Sequence, residues 1–572
     1  MLAFDKSNIS DVLHKFINIT IHQVHEPVNL SSKVTKEDLA NAWKDEYGVM
    51  YSSDKKRLLL ASAKLTDYSI RLGTFVICDC AFQQNNLTSI QIPDSVRTIG
   101  KSAFCCCGFT FIHIPDSVTN IGESAFMGCR FTSIHLPESI TNIGDYAFSF
   151  SSLKSIYIPN RLISIGNHVF CECRALTSIQ IPDGIVSIGD YAFQNCVSLT
   201  SISIPDSVTS IGDNAFEDCM ALTSIRIPDN VMNMGDSIFS GCEALTSIHI
   251  SNNVKNIGNR VFQGCASLNS IHIPEGVLSI GYKALSKCEA LTSINIPDSI
   301  TSIEEGAFEG CKSLTTIQFP DSITSIGNSA FNECTALTSI HIPNGLTSIK
   351  EETFIFCDSL TSIYIPNSVT SIGDQAFLGC ASLTSIHIPD NITIIGDGAF
   401  SGCASLTSIR IPDSVTSIEY DAFSGCTSLS SIHIPNSVIS IGNRAFSGCT
   451  SLTSIHIPDN ITIIGDGAFS GCTSLTSIRI PDSVTSIEYD VFSGCASLSS
   501  IHIPDSVTSI GNGAFEKCAS LTSIHIPDNV TSIGNRAFSG CISLTTIHIP
   551  DSVTYIGNGA FSFCSSLTSI II

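Results

Sequence analysis

Eleven of the chain's 15 histidines fall at one recurring position: His113, His135, His249, His272, His341, His387, His433, His456, His502, His525 and His548. Tyr157, Tyr364, Arg226, Arg410 and Arg479 take the same place in other copies. Imidazole in such numbers could bind a metal, move protons, or change charge as pH crosses about 6.5. A metal needs ligands that converge on one point and a second shell that orients them. One residue per period supplies neither, so no metal site and no cofactor is expected. Two readings stand: an exposed β position copied along with its histidine, or a protein-binding face enriched in Tyr and Arg, as interfaces are.

Other rows repeat with the same period. Sixteen of 21 copies carry Asp or Glu just after a proline, from Asp94 to Asp551, and the other five carry Asn. One carboxylate per copy cannot surround calcium with roughly six to eight oxygens. The Asp/Asn exchange suggests Asx-turns, in which the side chain bonds a backbone amide two residues on. Twenty of the 25 cysteines also share one position: Cys107, Cys129, Cys173, and then every 23 residues from Cys196 to Cys564. That pattern reads as a ladder of buried reduced thiols, with occasional disulfides between neighbours left open. Cys105, Cys106 and Cys107 cluster, as do Cys78 and Cys80, without the Cys-x-x-Cys and His complement of a zinc site. No nucleophile with a base, phosphate loop or carboxylate pair stands outside the repeat, so no catalytic residue and no enzyme activity is expected.

These rows exist because the chain repeats. Copies start at Leu87, Phe109, Phe131 and Leu153, then every 23 residues from Leu176 to Leu567. A fixed period of this length predicts a stacked solenoid, each coil burying its apolar side on the next. In the copy from Leu521, Leu521, Ile524 and Ile526 line the inside of a short strand and His525 points out. Pro527 ends the strand. Val530 and Ile533 return to the core, and Gly534 reads as a conformationally permissive corner. Ala537-Phe538 is placed on a helical or 3₁₀ turn, and Cys541 closes the coil. Phe holds this place in 20 of 21 copies, with Leu285 the exception, which predicts a stacked aromatic spine. Residues 388–456 and 457–525 are nearly identical, a duplication of three coils at once.

Residues 1–64 do not repeat. They read as a cap region, with helices after Ser10-Asp11 and Thr35 and a hairpin joining residues 47–51 to 57–60. Trp43 is expected to help close the first coil. Residues 65–572 form the array, with 65–86 a degenerate first coil and 567–572 a truncated last one. The apolar edge at Ser569–Ile572 suggests self-association.

Composition narrows the partners. With 43% apolar and 14% charged residues the chain can bury a continuous core, and a formal charge of −23 argues against nucleic acid and anionic membrane surfaces. No apolar run reaches the roughly 18–20 residues of a membrane span. Neither a signal peptide nor an anchor is read.

The consensus LTSIxIPDSVTSIGxxAFxGCxS, repeated over about 500 residues, resembles the BspA-type (Treponema-type) leucine-rich repeats. GVMYSSDKKRLLLAS at 48–62 and DYSIRLGT at 67–74 are similar to the lead-in of such arrays. The resemblance implies a leucine-rich-repeat solenoid, mainly β with short helical turns. The expected form is a right-handed curved superhelix of ~22 coils of 22–23 residues plus a small N-terminal cap. It also implies a non-enzymatic, protein-binding molecule, secreted or at a cell surface, that adheres to host matrix or neighbouring cells. The sixteen His, Tyr and Arg residues above, on the expected concave strand row, are the ligand-contacting set. The contrasting reading is an intracellular interaction scaffold or a self-associating architectural filament.

Overall fold

The computed structural model of the chain describes residues 30–62 and 64–572. The helix expected after Ser10-Asp11 lies outside them. The chain forms two compact units, Met1–Cys173 and Arg174–Ile572, and each is a parallel β-solenoid.

Among the described residues, the first unit begins with α1 (Lys36–Ala40), β1 (Trp43–Lys44), β2 (Met50–Tyr51) and β3 (Arg57–Leu60). Thr35 caps α1: its hydroxyl accepts from Asp38 N at 3.0 Å and Asp38 Oδ2 accepts from Thr35 N at 2.8 Å, a reciprocal box. Asp38 also pairs with the buried Arg57 guanidinium at 2.8 Å, which ties the helix to the hairpin. β1, β2 and β3 pair antiparallel, and β3 then pairs in parallel with Val76–Ile77 of the first coil. The hairpin thus converts an antiparallel edge into the first rung of the stack. Trp43 lies 5.9 Å from the Tyr51 ring, with Lys55 Nζ 4.4 Å from its centroid.

Each coil of the second unit typically contributes two short strands. Ser408–Arg410 and Ser417–Ile418 pair in parallel with Ser431–His433 and Ser440–Ile441 of the following coil. Proline ends the first strand, and its carbonyl closes a turn onto Val415 N at 3.1 Å from Pro412.

The turn at Ala-Phe is not helical, contrary to the sequence expectation. Around Phe446 the backbone is left-handed two residues before and two after, at Arg444 (φ 57°) and Gly448 (φ 72°), and the same pair of positions recurs coil after coil. Alternate amides therefore point out of the turn. Arg444, Phe446 and Gly448 N–H donate to Asp466, Ala468 and Ser470 of the next coil at 2.7–2.8 Å. A helix would spend those amides on its own carbonyls four residues back. Here they build a third intercoil ladder, which offsets the cost of left-handed backbone at residues that carry a Cβ.

The corner glycine also has a different cause from the one expected. Gly534 is outside the left-handed region, and a Cβ there would lie 2.5 Å from Asn512 N of the preceding coil. Close approach of coils requires it. Glu304, Lys350, Glu419 and Glu488 replace that glycine one at a time, each between two coils that keep theirs.

The core is a set of rows. Phe400, Phe423 and Phe446 are fully buried and stack at 5.6 Å centroid spacing within 7° of parallel. Leu285 interrupts the second unit's spine between Phe262 and Phe308 and is itself fully buried. The cysteines are free thiols, as the single-position ladder suggested. Their placement has a reason: Cys449 Sγ donates to Phe423 O at 3.2 Å, and Cys426 N reaches the same carbonyl at 3.3 Å. One small side chain per coil fills the core and occupies a second lone pair that would otherwise be buried unused.

Candidate protein-recognition face

The first strand of each coil alternates strictly. In the coil of Leu498, Ser500 and His502 are exposed, Ile501 lies partly covered between them and Ile503 is buried. Proline then turns the chain so that the next residue, Asp505, stands exposed beside the histidine row. All sixteen residues singled out from the sequence are exposed on this strand row. Within the first unit, His113 bridges His135 in register, and Tyr157 follows. Within the second unit, Arg226 is opposite His249, His341 opposite Tyr364, Tyr364 opposite His387, Arg410 opposite His433, and Arg479 opposite His502. His433 also bridges His456, and His272 bridges Asn295. His525 and His548 stand on the row further along. Tyr364 and His387 stack with centroids 6.0 Å apart.

The acidic row does not do what the sequence suggested. The carboxylates after proline accept no bond from the amide two residues on. The proline carbonyl already closes that turn. Instead, where the strand row carries arginine, they hold it. Arg410 Nη1 meets Asp390 Oδ1 at 2.6 Å, Arg479 Nη1 meets Asp459 Oδ1 at 3.1 Å, and Arg226 Nη1 meets Asp206 Oδ1 at 2.8 Å. In each case the carboxylate comes from the coil before. In the first unit the Tyr157 hydroxyl bonds Glu138, which raises the phenol's pKa and lowers that of the carboxylate.

Amide capping belongs to a different Asp/Asn row, the one after the corner glycine. Asp374 Oδ1 accepts from Asp397 N at 2.9 Å, and Asn443 Oδ1 accepts from Asp466 N at 2.9 Å. The bond crosses to the next coil, so no within-coil spacing could reveal it. The threonines are likewise structural: Thr384 Oγ1 donates to Thr361 O at 3.1 Å, coil to coil.

Sequence reasoning missed the groove beside the histidine row. A shallow depression of about 390 Å³ is lined by Ser454, Ser477 and Ser500 on one side and Arg479 and His502 on the other. Ile455, Ile478 and Ile501 lie along its floor. The signal was present in the Ser that precedes the strand Ile in most coils, with Phe111, Thr316 and Thr546 the exceptions. In the first unit, Tyr47 and Tyr68 join Asp67, Ser69, Ser89 and Gln91 around a depression of about 480 Å³. Tyr68 is fixed there by donating to Asp45 Oδ2 at 2.6 Å.

Such a face offers hydrogen-bond donors and acceptors, guanidinium and imidazole over a partly apolar floor. It suits recognition of an extended surface. Among the described residues, no group of three or more His, Cys, Asp or Glu is arranged to hold a metal ion. No helix among them is long and apolar enough to cross a membrane.

Residues 76–196, 163–292, 278–405, 370–499 and 486–572 match the family model of the BspA type leucine rich repeat region. No curated protein matches the chain. Among solved structures, a leucine-rich repeat protein from Bacteroides ovatus is 34% identical over 64% of this chain and 82% of its own, with a TM-score of 0.42. A leucine rich cell surface protein from Faecalibacterium prausnitzii is 31% identical over 69% of this chain and 87% of its own, with a TM-score of 0.31. The leucine rich repeat protein of T. pallidum is 30% identical over 32% of this chain and 78% of its own, with a TM-score of 0.24. The family model spans nearly the whole array, with the consensus rows and their intercoil bonds in every part of it: the chain belongs to the BspA-type leucine-rich-repeat family.

Proposed function

We propose that this chain recognises a protein partner through the strand row of its second unit, and does so outside the cell, in an adhesive role. Family membership carries the coarser part: BspA-type repeats imply a protein-binding repeat protein, and the family is generally non-enzymatic. The strand row is supported by one contrast. Inward positions barely vary, holding Ile, Leu, Phe and Cys, because each must fit the coil on either side. The outward position between the two strand isoleucines varies among Arg226, His249, Asn295, Gln318, His341 and Tyr364 while the backbone beneath stays in register. A rigid scaffold that varies only where it faces solvent is what a recognition surface requires. The bordering carboxylates favour a partner that presents Lys or Arg.

Protease treatment of intact source cells tests the location. Release of array peptides with cytosolic markers retained supports it, and protection that is lost only on lysis replaces it with the intracellular scaffold. Binding of the full chain to extracellular-matrix proteins tests the face. Joint Arg410→Ala, His433→Ala, Arg479→Ala and His502→Ala substitution is expected to weaken binding at least about tenfold, as loss of interface anchors does. Lys517→Ala with Arg536→Ala, on the turn side, should leave binding unchanged. The opposite ranking rejects the strand row.

A further inference from the structure

Five cysteines stand off the ladder position, and two of them are neighbours in the chain. Cys105 and Cys106 place their sulfurs 3.6 Å apart. Neither sulfur donates to a phenylalanine carbonyl, the role taken one residue later by Cys107, whose Sγ bonds Phe82 O at 3.1 Å. The core therefore does not need them as thiols. Their exposure differs: Cys105 is 7% exposed, whereas Cys106 is open to solvent. Cys106 sits at one of the left-handed turn positions (φ 59°), and its Sγ lies over Gly128 of the next coil, a position with no side chain to cover it.

We propose that Cys105 and Cys106 form a vicinal dithiol that undergoes reversible thiol–disulfide exchange with small disulfides, Cys106 attacking and Cys105 resolving. In the first step Cys106 gives up its proton to solvent and its thiolate attacks one sulfur of R–S–S–R, forming a mixed disulfide and expelling R–S⁻, which takes up a proton from solvent. Cys105 then attacks the Cys106 sulfur, closes the Cys105–Cys106 bond, and the second R–S⁻ leaves and takes up the proton of Cys105. Two electrons pass from the dithiol to the small disulfide, and two R–SH are released. An exposed attacking thiol beside a resolving partner is the arrangement that redox-responsive cysteines use.

The order of attack follows from the surroundings. Burial, and then the hydrogen bond with Cys106, pushes the Cys105 thiol up to about 12, so it keeps its proton while Cys106 is free. Conversion of Cys106 to a mixed disulfide removes the hydrogen bond that helps hold the Cys105 proton and places the sulfur to be attacked beside it. Reversibility follows from geometry. Adjacent Cα atoms lie about 3.8 Å apart, short of the roughly 4.4–6.8 Å usual for a disulfide, so the closed bond is strained and easily reduced. Closure also pulls on Cys106 N–H, which donates to Met127 O at 2.7 Å in the turn ladder.

The full-length chain is exposed to oxidised glutathione, the remaining thiols are alkylated, and the linkages are mapped by mass spectrometry. The expected product lacks two thiols, carries a 105–106 bond, and is restored by dithiothreitol. Cys105→Ser should stop at a glutathione adduct on Cys106, and Cys106→Ser should react at least about tenfold more slowly at Cys105, because the remaining sulfur is buried. Cys105→Ala serves as a second variant should serine at the buried position disturb the coil. A bond from Cys80 to either sulfur, a stable Cys106–glutathione adduct in the unaltered chain, or unchanged kinetics in Cys106→Ser overturns the proposal.

Discussion

Replacing Phe423 with alanine measures how far one coil depends on its neighbours. The ring is fully buried, and its two ring neighbours, Phe400 and Phe446, lie 5.6 Å away on either side, nearly parallel to it. The rings above and below are held at coil spacing by the intercoil ladders, so they cannot close on the hole. The cost should fall in the Phe→Ala range, about 3–5 kcal/mol. A repeat stack distributes stability through nearest-neighbour contacts, so the loss should be local. At about 1.4 kcal/mol per decade, the amides of Phe400 and Phe423, which donate to Ala422 and Ala445 at 2.9 and 2.8 Å, should exchange roughly a hundred to several thousand times faster. The Phe538 amide, which donates to Ala560 at 2.8 Å several coils away, should be unaffected. Hydrogen exchange read by mass spectrometry on overlapping peptides resolves the two regions. Less than tenfold acceleration at 400–423, or equal acceleration at 538, would refute a locally coupled aromatic spine.

Two further outcomes separate the causes argued above. Gly442→Ala places a Cβ 2.7 Å from the Glu419 backbone and creates two adjacent corners without glycine, whereas Gly425→Ala meets nothing closer than 3.5 Å but keeps φ at 72°. The first should lower the urea midpoint clearly more than the second, whose cost is about 1–2 kcal/mol for left-handed backbone; the reverse order would restore conformational freedom as the reason for the corner. The buried thiols give a pH dependence of known sign. Burial pushes Cys173, Cys311, Cys380, Cys449 and Cys495 up to about 12, against about 8.5 in the unfolded chain. Stability from the protonated thiols is thus intact below about pH 8.5 and falls as pH rises toward 12, by up to about 1.4 kcal/mol per unit per thiol. The melting temperature should drop steeply above pH 9, and a flat profile from pH 7 to 10.5 would show that the ladder is not buried as thiol.

Much of the fold was legible because repetition averages out local ambiguity. The inward rows of Leu, Ile and Val, the Phe spine with its lapse at Leu285, the reduced cysteine ladder and the capped helix at Thr35 all follow from residue type and period. The exposed strand row was legible for the same reason, since strict alternation leaves His502 nowhere to go but outward. What misled was any feature whose partner lies one coil away. Asp390 resembles an Asx-turn residue in sequence, yet it clasps Arg410; Asp374, which no spacing singled out, caps an amide of Asp397. The Ala-Phe turn has helical composition, but alternate amides find better acceptors on the next coil.

The amino-acid sequence by itself determined the period, the identity of every inward row and the set of side chains presented on the strand face. It did so because each coil must bury the same residues against near-copies of itself. Only the tertiary structure decided which atoms meet across coils: left-handed turn positions at residues with side chains, glycine at the corner for clearance, thiols on phenylalanine carbonyls, and carboxylates on the arginines of the strand row. Those choices depend on a neighbour about 4.8 Å away through space and 22 or 23 residues away along the chain, a relation that no local spacing in the sequence expresses.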